Sequence, residues 1–385
     1  MSHNIRAGTL VLFVAILTAT LMQSYFDVLS ILSGNLLNLT TYEGPLILKL
    51  GKDLVYFSIL MAIVHHAWEH DYRIVHGQSL AIFLIVAILV SLSAHFNGIF
   101  VAGIGLRWFF PFLLFLLMSR WIQRTDRETA AALLVLGAVL CLAAQVVQLF
   151  MMPPVFGEVL PGVPARVPGI FIAPNSTAFF GCATASLVAA LTGVRHRAFK
   201  ASLALSVVIT ALSQSGTGVV VNLVLLLWML CREDVARFVG VSVPLILLVF
   251  VNLNLITGRD NYVEVSGGER VQVLAKIFFE ASYEAFNFGS YTNAANLRSA
   301  NPEEARAVDS LIASWIGNFG VLSLPVAVLA ISLFVLQTRG LNRRAVYPSL
   351  FVGLLFAPTT IIFEAFPMNL FIAFGLWVGA YRVSS

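Results

Sequence analysis

The amino-acid sequence predicts an all-α polytopic membrane protein with about 12 transmembrane helices and one long extramembrane loop between late spans. Of its 385 residues, 59% are hydrophobic and only 11% are charged, and its mean hydropathy is +0.90. These values lie outside the range of soluble globular proteins. Its apolar runs are continuous over about 20 residues, whereas strands of a membrane β-barrel alternate over about 10 residues. The sequence therefore favours helical spans.

Apolar windows long enough to cross a bilayer occur twelve times along the chain. The weakest pair, at 199–231, consists of two short spans joined by the Ser- and Gly-rich residues 213–218, and short spans of this kind can end inside the protein beside a cavity. The predicted spans are 9–29, 46–66, 78–97, 103–120, 128–151, 169–193, 199–215, 217–231, 238–256, 309–336, 346–363 and 367–382.

The distribution of Lys and Arg predicts the orientation of these spans. With the N-terminus in the cytoplasm, 14 of the 23 basic residues fall in short loops on the cytoplasmic side, against four in short segments on the other side. Long loops are largely exempt from this bias. Both termini are therefore predicted in the cytoplasm, and the long loop outside.

The long loop divides the chain into three predicted parts. Its irregular polar backbone cannot lie in lipid, because its amide and carbonyl groups would have no water to bond. We expect a transmembrane bundle of about nine spans over 1–256, a loop domain over 257–308 and a bundle of about three spans over 309–385.

Arg166 opens the first group of residues that can carry chemistry. It precedes a span on the outer side, and Pro174-Asn175 interrupts that span near its start. A proline there leaves backbone groups unpaired, so that Asn175 or Ser176 can point into a cavity. The alternative is an interfacial arginine that reaches lipid phosphates, followed by an ordinary proline kink.

Arg107, in the fourth span, is the second candidate. Its neighbours Trp108, Phe109 and Phe110 are typical of an anchor at the membrane interface. An arginine more than one turn inside an apolar run needs an anionic partner. We expect that partner to be a carboxylate such as Asp53, or a bound phosphate.

The junction at 213–218 is the third candidate, with Ser213 and Ser215 followed by Gly216 and Gly218. Backbone amides exposed at a helix start bind anions. A tight helical hairpin requires the same residue types, so both interpretations stay open.

The long loop contains the remaining candidates. Since it is acidic by count, an anion site in it depends on a few placed arginines, of which Arg270 and Arg298 are the candidates for binding substrate. Arg270 opens an amphipathic stretch that can lie along the membrane surface. At the loop's end, Asp309 or Ser310 is expected to cap the next helix, and Asp309 is also a candidate general base.

Nothing in the sequence predicts a metal site or binding of nucleic acid. The net charge of +4 does not indicate nucleic-acid binding, because the predicted topology accounts for the basic residues, most of which lie on the cytoplasmic side. Four histidines cluster at the inner end of the second span, away from the other candidates, and we interpret them as a loop feature: His65, His66, His70 and His76. No internal repeat is visible, which argues against a secondary transporter.

Taken together, these residues resemble the superfamily of O-antigen ligases and O-antigen or exopolysaccharide polymerases. The resemblance covers about residues 100–335 and lies in the order and topology of short motifs. They are Arg166-x-x-Gly169 with Pro174-Asn175, the Ser213-x-Ser215-Gly216-Thr217 junction, a long outer loop with Arg270 early in it, Phe288-Gly289, and Asp309-Ser310 followed by Gly317-x-x-Gly320.

The resemblance implies an inverting, metal-independent and cofactor-free glycosyltransferase of the bacterial inner membrane. Its donor and acceptor are undecaprenyl-pyrophosphate-linked oligosaccharides at the periplasmic face, and a chain-length regulator is the protein partner to consider. By this resemblance Arg166 and Arg270 hold the pyrophosphate leaving group. Guanidinium groups suit that role because they bind phosphate bidentately and stay charged.

The chain departs from the ligase pattern at two positions, and the missing histidine at position 309 favours a polymerase. Asp309 stands where ligases carry a histidine, and Gly216 stands where an arginine is frequent. The alternatives are a ligase that transfers glycan to lipid A core or protein, a transporter or flippase of a lipid-linked or anionic substrate, and a structural scaffold of a polysaccharide-secretion complex.

Overall fold

A computed structural model describes twelve stretches of the chain, and every helix or turn reported below lies in them. The regular secondary structure of these stretches is helical throughout. The described residues are 51, 53, 54, 56–58, 60, 61, 77–117, 127–151, 166–171, 174–252, 268–281, 287–292, 310–337 and 346–380.

The helices follow the predicted spans closely. Residues described between 51 and 61 are helical as well, and a 3-10 turn, Gly320–Leu322, separates α9 from α10. In chain order the helices are α1 Gly77–Phe96, α2 Ile99–Leu117, α3 Arg127–Met151, α4 Pro174–Thr192, α5 Arg197–Ser213, α6 Gly216–Leu230, α7 Val235–Val251, α8 Gly268–Ala281, α9 Leu311–Phe319, α10 Ser323–Gln337, α11 Tyr347–Phe356 and α12 Met368–Ala380.

Two helical stretches in the described part of the chain are long and apolar enough to cross a membrane. They are Arg127–Phe150, within α3, and Leu311–Leu333, which comprises α9, the 3-10 turn and most of α10. Several shorter apolar helices accompany them, among them Gly216–Leu230 and Val235–Leu248. The prediction of a helical protein with apolar helices of membrane-spanning length is therefore confirmed.

Helix α4 lies at the centre of the bundle. It packs against α3, α5, α6, α11 and α12, and nearly all of its side chains are buried. Most of them are small, which lets neighbouring backbones approach closely, as in helix packing within membranes. At Gly181, for example, a Cβ atom would lie 3.3 Å from the Ser206 hydroxyl of α5.

Helices α5 and α6 are joined by buried polar side chains as well as by apolar packing. The Ser206 hydroxyl donates to Asn222 Oδ1 over 2.7 Å, and Asn222 Nδ2 donates to Thr210 Oγ1 over 2.9 Å. These bonds satisfy polar groups that would be costly to leave unpaired in an apolar interior. The hairpin that carries residues 213–218 is therefore a rigid support.

Three predicted spans differ from the observed helices. Helix α4 begins at Pro174 rather than at 169, because proline is favoured in the first turn of a helix, where its missing N–H is not needed. The span at 309–336 is interrupted at Gly320, whose φ is +50°. The span at 346–363 ends as a helix at Phe356, just before Pro358.

Candidate functional site

Residues 166–171, which carry Arg166, form an irregular segment between α3 and α4, and two glutamines of α3 hold its backbone. Gln145 Nε2 donates to Val167 O over 3.0 Å and also to Ile209 O over 3.2 Å. Gln148 makes a reciprocal pair with Gly169, since its Nε2 donates to Gly169 O over 2.6 Å and its Oε1 accepts from Gly169 N over 2.7 Å.

The neighbouring helices α4 and α5 hold the same segment from the other side. Val167 N donates to Leu212 O over 3.2 Å, and the Thr177 hydroxyl donates to Pro168 O. Gly169 has a φ of +66°, and a Cβ atom there would lie 2.9 Å from Gln145 Cγ. Irregular backbone is tolerated at membrane depth when protein groups satisfy it, and these contacts supply that condition.

The guanidinium group of Arg166 is held by two neutral oxygens. Its Nε donates to Ser213 O over 3.0 Å, and its Nη2 donates to Asn175 Oδ1 over 2.8 Å. The bond to Ser213 O reaches the end of α5, and the bond to Asn175 Oδ1 reaches the first turn of α4. Ser213, which is 47 residues from Arg166 in the sequence, therefore lies together with Arg166 and Asn175, and all three were singled out by the sequence.

The junction of α5 and α6 is a tight helical hairpin. The Ser213 hydroxyl donates to Ile209 O and Thr210 O within α5. Gln214 adopts a left-handed conformation, and the Ser215 hydroxyl caps α6 by accepting from Gly218 N over 3.4 Å. The hairpin interpretation is confirmed, and what Ser213 gives to Arg166 is its carbonyl oxygen.

The turn after α11 connects this hairpin with the start of α9. The Thr217 hydroxyl donates to Thr359 Oγ1 over 3.2 Å. Leu311 N donates to Ala357 O over 2.8 Å and to Thr360 O over 3.2 Å. Residues 357–360 thus contact the first turn of both α6 and α9, and they join the Arg166 hairpin to the helix that follows the long loop.

Ser310 is the N-cap of α9, as one of the two predicted alternatives stated. Its hydroxyl accepts from Ala313 N over 3.4 Å and donates to Ala357 O over 3.2 Å. A serine in this position satisfies one of the free N–H groups of the first turn. The other alternative, Asp309, lies outside the described residues, as does Arg298.

Helix α8 carries the backbone of Arg270 in its first turn and packs against α9. The predicted amphipathic stretch is therefore a helix, and it lies beside the helix that starts at Leu311. The side chain of Arg270 falls outside the described part of the chain, so that its proximity to Arg166 stays a prediction.

The loop residues 287–292 pack into the bundle. Gly289 N donates to Asn318 Oδ1 over 2.7 Å, and the Ser314 hydroxyl donates to Tyr291 O over 2.7 Å. Both Asn318 and Ser314 belong to α9. From α1, the Ser93 hydroxyl donates to Phe288 O over 2.6 Å.

Two glycines make this close packing feasible. Gly289 has a φ of +97°, and a Cβ atom there would overlap the carbonyl oxygen of Val101. A Cβ atom on Gly317 would overlap the ring of Tyr291. The motifs Phe288-Gly289 and Gly317-x-x-Gly320, singled out separately in the sequence, thus meet through Tyr291, and they fix the loop against α9.

Arg107 lies in α2 and pairs with the carboxylate that the sequence suggested. Its Nε is 3.1 Å from Asp53 Oδ1, and the two side chains are 39% and 46% exposed. Asn369 Nδ2 donates to Tyr56 OH and to Phe363 O close by. The described contacts therefore give Arg107 a carboxylate partner of its own, apart from the contacts of Arg166.

Sequence reasoning missed the side chains that hold the Arg166 segment and the loop turn. Gln145 and Gln148 are three residues apart in an apolar helix, and Ser314 and Asn318 are four apart. Such spacings place two polar side chains on one helix face. This pattern was the available signal, although it does not tell which backbone groups are bound.

Among the described residues, no group of three or more His, Cys, Asp or Glu side chains lies close enough to hold a metal ion. The four clustered histidines, 65, 66, 70 and 76, are outside these residues. Chemically, the described site offers a guanidinium held beside the first turn of α4, where anions are favoured, and bound to the last residue of α5. Comparisons of the chain with models of protein families, with curated proteins and with solved structures found no match.

Proposed function

We propose that this protein is a bacterial inner-membrane polysaccharide polymerase, a glycosyltransferase that uses undecaprenyl-pyrophosphate-linked glycan at the periplasmic face. In this proposal the protein spans the membrane about 12 times, both termini are cytoplasmic, and the long loop is periplasmic. The observation that carries the proposal is the fixed guanidinium of Arg166, held by Asn175 Oδ1 and Ser213 O.

A fixed guanidinium suits a pyrophosphate leaving group for physical reasons. Its donors are arranged in a planar fork that matches two phosphate oxygens. The contacts with Asn175 and Ser213 orient the group before substrate binds, so that it needs little reorganisation as negative charge develops. The first turn of α4, which carries Asn175, adds partial positive charge beside it.

The proposed reaction is a single displacement with inversion. The acceptor sugar hydroxyl attacks the anomeric carbon of the donor, and the bond between that carbon and the pyrophosphate oxygen breaks. The hydroxyl proton passes to a general base, and undecaprenyl pyrophosphate leaves with the bonding electron pair. We assign Arg166 and Arg270 to the pyrophosphate, and Asp309 to the hydroxyl as base or orienting group.

The other candidates are assigned supporting roles. Asn175 orients Arg166 through its Oδ1, and the hairpin with Ser213 and Ser215 supports the pocket wall. Arg298 is proposed to bind the glycan or its carrier. Arg107 is proposed to contact substrate only if a phosphate displaces Asp53 from it.

The test is the size distribution of lipid-linked and surface glycan in a deletion strain that is complemented with variants. The variants are wild type, Arg166→Ala, Arg270→Ala and, as a matched control, Arg195→Ala, an exposed arginine between α4 and α5. We expect Arg166→Ala and Arg270→Ala to leave single repeat units, and Arg195→Ala to restore long polymer.

Other outcomes of this experiment point to the alternatives. Long polymer that stays on its lipid carrier would indicate a ligase. Repeat units confined to the cytoplasmic leaflet would indicate a flippase. A wild-type glycan profile in the deletion strain would overturn the proposal. A wild-type profile in both arginine variants, with loss of long polymer in the deletion strain, would overturn it in favour of a scaffold.

A further inference from the structure

The residues of α8 divide into three faces, because successive residues of a helix are about 100° apart. The first face packs on α9. It contains Leu274 and Ile277, of which Ile277 is only 5% exposed, and Leu274 is packed against the same core. Position 270, four residues before Leu274, is on this face by the same spacing.

The second face is apolar and exposed. We call it the apolar flank, and it consists of Val271, Ala275, Phe278 and Phe279. Val271, Phe278 and Phe279 are 66%, 52% and 71% exposed. Two phenylalanines exposed side by side on one short helix are unusual for a surface that faces water.

The third face is polar, with Val273, 39% exposed, between it and the packed face. It carries Gln272, Lys276 and Glu280, with Lys276 Nζ 4.0 Å from Glu280 Oε1 one turn later. Going round the helix, the packed face, the apolar flank and the polar face follow one another. The helix therefore has one face packed against the protein, one exposed apolar face and one exposed polar face.

The position of α8 indicates what covers the apolar flank. Helix α9, against which α8 packs, is the first part of the stretch Leu311–Leu333, which is long and apolar enough to cross a membrane. The exposed residues along that stretch are apolar too, namely Ile312, Val321, Leu324, Val328 and Ile331. The apolar flank thus belongs to a helix that packs against the start of a stretch long and apolar enough to cross a membrane, whose exposed residues are themselves apolar.

We infer that the apolar flank of α8 is inserted in the lipid of one membrane leaflet, with the polar face toward water. Amphipathic helices lie in this way at the boundary between headgroups and acyl chains. With its apolar flank in lipid, α8 lies at the boundary between headgroups and acyl chains. This placement brings residue 270, in the first turn of α8, to the level of the lipid phosphate groups. This inference concerns the placement of α8 and stands independently of the proposed enzymatic function.

Site-directed spin labelling of the full chain in phospholipid nanodiscs tests the inference. In a Cys231→Ser background, in which the two remaining cysteines, Cys141 and Cys182, are buried, a nitroxide is attached at Phe279→Cys or Lys276→Cys. Leu324→Cys serves as the lipid-facing reference and Arg195→Cys as the water-facing one. Collision rates with oxygen, which concentrates in lipid, and with a water-soluble nickel chelate are then measured.

We expect the label at 279 to match the label at 324, with an oxygen-to-nickel collision ratio several-fold higher than the label at 276. Val271→Cys, on the same flank, is expected to repeat the result, so that a folding defect of one variant does not decide the test. A ratio at 279 and 271 equal to that at 276 would overturn the inference in favour of water. Shielding of both labels from oxygen and nickel, with short distances between labels of two copies, would overturn it in favour of a protein partner.

Discussion

The pair of hydrogen bonds between Gln148 and Gly169 offers the sharpest prediction about how the site is built. Gln148→Leu keeps the size of the side chain but removes both bonds, which measure 2.6 and 2.7 Å. The N–H and C=O groups of Gly169 then lose their partner. Such a loss costs about 1–3 kcal/mol for each fully buried group. Because Gln148 is only part-buried, we expect the loss of both hydrogen bonds together to cost about 2 kcal/mol.

A loss of this size shifts the segment that carries Arg166 rather than the whole bundle. About 2 kcal/mol corresponds to a roughly thirtyfold smaller equilibrium ratio between the segment in place and the segment displaced. We therefore expect Gln148→Leu to lower the elongation rate of a lipid-linked repeat unit by about that factor at most. Gln148→Glu is expected to be no better, because a carboxylate accepts from Gly169 N but cannot donate to Gly169 O. Val147→Ala, on the exposed side of the same helix, is the matched control and is expected to keep full activity.

A double-variant comparison separates positioning from general destabilisation. Residues that act through one another show non-additive effects, whereas independent sites add. In an Arg166→Lys background with residual activity, we expect Gln148→Leu to cause little further loss. Wild-type activity of Gln148→Leu, or a full further loss in the Arg166→Lys background, would refute the reasoning.

Two further predictions concern stability. Gly317→Ala places a Cβ atom in the ring of Tyr291, so we expect it to lower the free energy of unfolding by about 1–3 kcal/mol, seen as a lower Tm. Gly240→Ala, which meets no atom within 4 Å, is the control and should leave Tm unchanged or raised, and equal Tm values for both would contradict the prediction. Asp53→Asn should lower Tm more than the double variant Asp53→Asn/Arg107→Gln does, because the single change leaves the charge of Arg107 unpaired. If the double variant instead lowers Tm by the sum of the two single changes, the ion pair is contradicted.

For the described part of the chain the sequence was sufficient to predict most helices, since hydrophobic runs indicate segments that avoid water; the predicted span 9–29 lies outside it. The observed helices α1 to α7 follow the predicted spans within a few residues, apart from the later start of α4 at Pro174. The amphipathic spacing after residue 267 likewise predicted α8. These features are local, so neighbouring residues determine them.

The breaks in the helices were harder to predict because their causes lie outside the segment. Gly320 ends α9 in a run that is apolar on both sides, and Trp315 Nε1 donates across the break to Ser323 O over 2.9 Å. A hydropathy window averages over such a break. Only the glycine itself gave a signal, and glycines are frequent in membrane helices.

The candidate site was predicted in part. Arg166 and Asn175 were placed in one candidate group, and the structure joins them by a 2.8 Å hydrogen bond that the sequence did not predict. The clamp by Gln145 and Gln148 was missed, because their spacing shows only that both lie on one helix face and not which distant backbone groups they bind. The roles of Arg270, Arg298 and Asp309 stay predictions.

The most direct test of the proposed function uses purified full-length protein in nanodiscs with an undecaprenyl-pyrophosphate-linked repeat unit as both donor and acceptor. The products are separated by size, and released undecaprenyl pyrophosphate is quantified. We predict that wild type and Arg195→Ala lengthen the glycan with one lipid pyrophosphate released per unit added, and that Arg166→Ala does neither. Elongation by Arg166→Ala at the wild-type rate would contradict the central claim.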